Sequence, residues 1–107
     1  MYKNINKQVV FKMKNEIDYH NGQVVSKTLV QNELMSVTLF SFEKGEEIST
    51  HASKGDAMVT VLEGVGRFMV DGKEHILSEG DSLIMPATLP HSVYGLERFK
   101  MLLVVSF

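Results

Sequence analysis

No cysteine and no tryptophan occur among the 107 residues. Without cysteine there is no disulfide framework and no thiolate metal site, so imidazoles and carboxylates are the strong metal donors left. Proline is scarce as well: there are two, Pro86 and Pro90, both in one short stretch. Long hydrophobic runs are also missing. The longest, Met101 to Val105, falls far short of the ~20 residues that cross a bilayer. The opening Met1-Tyr-Lys-Asn-Ile-Asn-Lys-Gln8 lacks the apolar stretch of a secretory signal, which makes the cytoplasm the expected compartment. No sign of charge dominates, with eleven basic and thirteen acidic residues and a net charge of -2. The basic residues are spread along the chain, which argues against nucleic acid or an anionic membrane as a partner, since both need a concentrated positive field.

What is present is the chemistry of short strands. The length fits a single domain over residues 1–107, with enough chain for its own core. Turn-forming pairs recur at short intervals: Asn21-Gly22, Lys44-Gly45, Lys54-Gly55, Glu63-Gly64, Asp71-Gly72, Glu79-Gly80 and Tyr94-Gly95. The runs between them are rich in Val, Leu, Ile, Thr, Phe and Met. They predict strands near 8–12, 23–31, 34–42, 47–52, 57–63, 65–70, 73–77, 82–85, 90–94 and 99–106. Asp71-Gly72 suits the two-residue type I′ turn of a hairpin. No window carries an apolar period of 3.6, so helix should be nearly absent. The fold class expected is all-β, an antiparallel sandwich or barrel. Met101–Val105 and Met58–Leu62 are apolar on both faces, and a barrel buries only one face of a strand. A second sheet or a second subunit should cover the other, and a homodimer is expected.

Two segments carry the chemistry. The first runs Gly45-Glu-Glu-Ile-Ser-Thr-His51-Ala-Ser53-Lys-Gly-Asp56-Ala57 and on to Glu63-Gly64. The second runs Gly80-Asp-Ser-Leu-Ile-Met-Pro86-Ala-Thr88-Leu-Pro90-His91-Ser-Val-Tyr94-Gly95. Together they resemble the paired motifs of the cupin family, G-x5-H-x-H-x3,4-E-x6-G at 45–64 and G-x5-P-x-G-x2-H-x3-N at 80–95. The resemblance implies a double-stranded β-helix, or jelly-roll barrel. It also implies that His51 and His91 converge at one end of a cavity, where the family holds one metal ion on three histidines and a glutamate. Here Ser53 stands at the second histidine, Ala57 (or Met58 under the longer spacing) at the glutamate, Thr88 at the glycine and Gly95 at the asparagine.

The candidate metal ligands are thus His51 and His91, with Asp56 as the nearest carboxylate, one residue out of register with Ala57. Asp56 would reach the site only if the loop at Gly55 bulges. Glu47 shares the phase of His51 but lies four residues along, about 13 Å at the usual strand rise, too far to share a metal. Ser53, two residues from His51, should face the same side, and a β-branched Thr88 disfavours the positive φ of a glycine, so that turn should differ locally. His51, Ser53, His91 and Tyr94 are the candidate ligand-binding residues; His20 and His75 are assigned no chemistry. The reading favoured is a small-molecule-binding cupin with a depleted divalent-metal site, for Zn, Fe, Mn or Ni if any. The alternatives are a metal-dependent dioxygenase- or isomerase-like cupin, or a metal-free enzyme like the sugar epimerases with a histidine base.

Overall fold

Nine short strands and one 3-10 turn make up the computed structural model, which describes all 107 residues. After the turn at Met13–Asn15 come β1 (Val24–Gln31), β2 (Met35–Phe42), β3 (Glu47–His51), β4 (Asp56–Glu63) and β5 (Val65–Val70). β6 (Lys73–Ser78), β7 (Ser82–Met85), β8 (His91–Gly95) and β9 (Phe99–Ser106) follow. Five strands form one sheet in the order β1-β2-β9-β4-β7, and four form the other in the order β3-β8-β5-β6. All pairings are antiparallel. This is the jelly-roll barrel that the sequence predicts.

Local chemistry sets the connections. Asp71 (φ 48°) and Gly72 (φ 79°) both take positive φ between the paired residues Val70 and Lys73, as a type I′ turn requires. Asn32 closes the β1–β2 connection by accepting the N–H groups of Leu34 and Met35 on its side-chain oxygen.

The strands alternate as half-buried strands should. In β4, Ala57, Val59 and Val61 point between the sheets, where they meet Phe68 and Val70 of β5, Val93 of β8 and Phe99 and Met101 of β9. Phe42 and Phe99 stack with ring centroids 4.5 Å apart, and Phe68 meets Phe99 edge-on. The space between the sheets is a packed core of twelve buried residues. Two of the seven methionines, Met85 and Met101, fill it.

The outer face of β2 and β9 is covered from within the chain. A second cluster does so, in which Ile5, Met13 and Ile17 of the N-terminal segment lie on Leu29, Val37, Leu39, Leu102 and Val104. Tyr19 pins that segment: its hydroxyl donates to Glu63 at 2.7 Å, and its ring lies beneath the guanidinium of Arg98 and the ammonium of Lys100. The buried Lys100 donates to the carbonyl of Lys14 at 2.7 Å.

The strand expected at 8–12 does not form. Asn4 and Gln8 take positive φ, and Val9, Val10 and Phe11 lie exposed with no strand edge to pair with. Val-Val-Phe is strand chemistry, but that preference is realised only by packing against neighbouring strands.

Candidate functional site

His51 ends β3 and His91 begins β8, and the two are directly opposed in the β3–β8 ladder. Their ring centroids are 4.3 Å apart at an interplanar angle of 65°. A bulge makes the meeting possible. β3 pairs Glu47 with Tyr94, Ile48 with Val93, and then His51 with His91, so three steps on β3 answer two on β8. Without the extra residue His51 would face away from Ile48; with it, both point to the barrel side. The same bulge overturns the expected shared phase of Glu47 and His51. Glu47 is paired with Tyr94 on the outer face, and His51 lies with His91 on the inner one.

Each imidazole is held by a backbone carbonyl two residues before it. Nδ1 of His51 lies 2.9 Å from the Ser49 carbonyl oxygen, and Nδ1 of His91 lies 3.2 Å from that of Leu89. A carbonyl only accepts, so both Nδ1 atoms carry a proton, and in a neutral ring that leaves the lone pair on Nε2. His91 is buried, 4% exposed, while His51 is open to solvent. Burial holds the His91 imidazole below its ordinary range. The Leu89 carbonyl pulls the other way, and the neighbouring His51 adds to the lowering. His91 is therefore the neutral, lone-pair-bearing ring at neutral pH.

The remaining candidates lie elsewhere. Ser53 is outside β3, in the loop that follows, so the two-residue spacing does not place it on the face of His51. Its hydroxyl accepts the Gly55 N–H at 3.2 Å and its carbonyl accepts the Thr88 N–H at 2.8 Å. Asp56 points to the outer side of β4, opposite to the buried Ala57, and accepts the Ala87 N–H at 2.8 Å. These two bonds fasten the Pro86–Pro90 turn to the loop after His51 and so hold the two histidines in reach of each other. Thr88 does take the positive φ of a glycine, 70°, so that turn keeps its shape and carries the strain in the threonine. Tyr94 lies on the face opposite to His91, with the Arg67 guanidinium 4.7 Å from its ring centroid.

His75, passed over in the sequence, is half-buried opposite the inward Phe68. The Ser49 and Leu89 carbonyls, which set the histidine tautomers, are backbone atoms with no sequence signal. His20 is exposed beside the turn that ends at Gln23.

A hollow of about 260 Å³, lined by Thr50, Met69, Gly72, Pro90, His91 and Ser92, touches His91 but not His51, and the paired Met69 and Ser92 put it on the outer side of the four-stranded sheet. The barrel beneath is filled, and Val61 alone of its twelve core residues lines any of the three hollows. The cavity that the resemblance implies is occupied by core side chains, and the hollow beside His91 opens outside it.

A nine-stranded, two-sheet antiparallel barrel with paired imidazoles at one end defines a class. Within it, residues 38–105 match the model of the Cupin domain family, and the chain belongs to that family. It is similar to a conserved protein of unknown function from Streptococcus pyogenes, 41% identical over 98% of this chain and 92% of that one, with a TM-score of 0.96. A cupin superfamily protein from Desulfitobacterium hafniense DCB-2 is 30% identical over 100% of this chain and 98% of that one, with a TM-score of 0.95. A cupin 2 conserved barrel domain protein from Leptotrichia buccalis is 43% identical over 91% of this chain but 47% of that one, with a TM-score of 0.88. Among curated proteins, none matches the chain.

The family's metal can be tested against these donors. No group of three or more histidine, aspartate or glutamate side chains comes together anywhere in the chain. Two imidazoles fall one short of the three protein ligands of a catalytic zinc site, and lack the carboxylate of a two-histidine iron site. Ala57 offers no donor, and the Ser53 hydroxyl is already engaged. The residues do not fit a resident family-type metal.

Proposed function

We propose that this protein binds a small organic molecule at the mouth of its barrel, oriented by His51 and His91. The observation that carries this reading is the locked tautomer of both rings. Two Nε2 acceptors side by side, one of them buried, suit a ligand that presents hydroxyl or N–H donors. The hollow that reaches His91 measures about 260 Å³, just below the ~300–1,000 Å³ usual for ligand pockets, so it has room only for a small molecule. A histidine general base is normally oriented by a carboxylate, and here both Nδ1 atoms face backbone carbonyls, which favours binding over proton abstraction. The ligand set narrows to the two histidines, with Ser53 and Asp56 as fasteners of the loops that carry them. The protein acts on this reading as a cytoplasmic homodimer. Met58 and Ile84 leave apolar surface open on the outer sheet, and no helix is long and apolar enough to cross a membrane.

Elemental analysis and native mass spectrometry of protein purified without an affinity tag test the site. The expected result is substoichiometric metal that His51→Ala leaves unchanged, with a co-purifying small molecule lost in His51→Ala and in His91→Ala. Stoichiometric metal that disappears in His51→Ala would overturn the reading in favour of a metal-dependent cupin.

A further inference from the structure

Asn21-Gly22 sets an amide side chain beside a residue that has no side chain at all. The chain holds five asparagines, at positions 4, 6, 15, 21 and 32, and only Asn21 precedes glycine; the others precede Ile5, Lys7, Glu16 and Glu33. The pair forms the centre of a four-residue turn, closed by the Gln23 N–H donating to the His20 carbonyl at 3.1 Å. Gly22 takes φ 66°, as the third residue of a type II turn must. Both residues are exposed, and nothing beyond its chain neighbours lies within 4 Å of the point a Gly22 Cβ would occupy. The Gly22 N–H donates to no group in the chain. Two of the other asparagines are tied down. Asn4 donates its amide to the Thr28 carbonyl at 2.8 Å, and Asn32 accepts the N–H groups of Leu34 and Met35.

We propose that Asn21 is a self-modification site, at which the Gly22 amide nitrogen attacks the side chain and converts it to isoaspartate. The nitrogen gives up its proton to solvent base and bonds to Cγ of Asn21. The Cγ–Nδ2 bond breaks, and Nδ2 takes a proton and leaves as ammonia. Water then opens the five-membered imide that remains. Attack at Cγ gives aspartate; attack at the main-chain carbonyl of residue 21 leaves the backbone running through the side chain, as isoaspartate. One asparagine and one water thus become one isoaspartate or aspartate and one ammonia, with nothing oxidised or reduced. The attacking nitrogen must be unhindered, and glycine has no Cβ to crowd it.

The position gives the change a consequence. The turn lies between Tyr19, which pins the N-terminal segment, and β1. Both its sides are tied to the end of β2: the Ser41 hydroxyl donates to the Asp18 carbonyl at 2.8 Å, and the Glu43 N–H to the Gln23 carbonyl at 3.3 Å. Isoaspartate inserts a methylene into the main chain within that short span and adds one negative charge to a net of -2. The bond that closes the turn is lost, and the aged chain holds its N-terminal segment more loosely.

The test is peptide mapping of the wild-type protein after weeks at mildly alkaline pH, with fragmentation that separates isoaspartate from aspartate. The peptide carrying residue 21 should show the mass change of ammonia lost and water gained, with isoaspartate as the main product. Peptides carrying the other four asparagines should be unchanged. The conversion should be slower at mildly acidic pH, where the Gly22 nitrogen keeps its proton, and lost in Asn21→Gln. Hydrogen exchange of the converted chain should quicken up to Gln23 and stay the same in the core of β4 and β5. Asn21 that survives intact, or that converts no faster than the other four, overturns the proposal. Aspartate without isoaspartate overturns the attack by Gly22, and unchanged exchange in a converted chain overturns the loosening.

Discussion

Threonine at φ 70° crowds its β-branched side chain against the backbone, a conformation costing about 1–3 kcal/mol, and Thr88 is held there by the bond from its N–H to Ser53. Its side chain is exposed, so replacing it removes strain without removing packing. Thr88→Asn, which tolerates the left-handed region without the extra chain entropy of glycine, should raise stability by about 1 kcal/mol in denaturant unfolding. A variant less stable than the wild type would show that this turn is unstrained. His91 sets a pH dependence of known sign. Its folded value lies below the 6.5 of a free imidazole, so between those two values the unfolded chain holds more protons than the folded one. Stability is then full above about pH 6.5 and falls as pH drops through the folded value. Unfolding measured from pH ~7.5 down to ~5 should show this loss, reduced in His91→Asn. Two of the four imidazoles were legible as candidates because both sit in recognisable motif spacing. Their tautomers were not legible, because the Ser49 and Leu89 carbonyls carry no residue identity.

At the level of elements, the period-two pattern located β1 to β9 within a residue or two, because each alternates against a single core. It failed where the count itself changes. The β3 bulge inserts a residue that reverses inside and outside for everything beyond Ile48, and nothing in Glu47-Ile-Ser-Thr-His51 marks it. It also failed at 8–12, where strand chemistry has no partner in its own chain. The N-terminal segment is secured instead by Tyr19, whose burial, reinforced by its hydrogen bond to Glu63, pushes the phenol well above its ordinary value. Tyr19→Phe leaves the Glu63 carboxylate without that donor and should cost about 1–2 kcal/mol. Hydrogen exchange should quicken in β9 beneath the segment while the core of β4 and β5 stays protected. Equal loosening of the whole barrel would mean that Tyr19 is not a local fastener.

On the scale of the whole molecule, two features share one cause. A sheet with apolar side chains on both faces needs two covers. The four-stranded sheet supplies one, and the N-terminal segment supplies half of the other. The uncovered half, at Met58 and Ile84, lies on the outer face away from the histidines, so the proposed association and the histidine site can be tested separately. Loss of the dimer in Ile84→Asp should leave the His51–His91 pair able to bind, since the strip is on the outer face and the pair is at the mouth. Native mass spectrometry of that variant should still show the small molecule.

The sequence by itself determined the strand order of chemistry, the turns and the family, since alternation, glycine placement and motif spacing act over a few residues and need no distant partner. Only the tertiary structure decided that His51 turns inward, that Asp56 and Ser53 fasten loops, and that the barrel is filled. Each of those depends on which strand lies opposite and on what volume remains between two sheets, and both are set by contacts far apart along the chain.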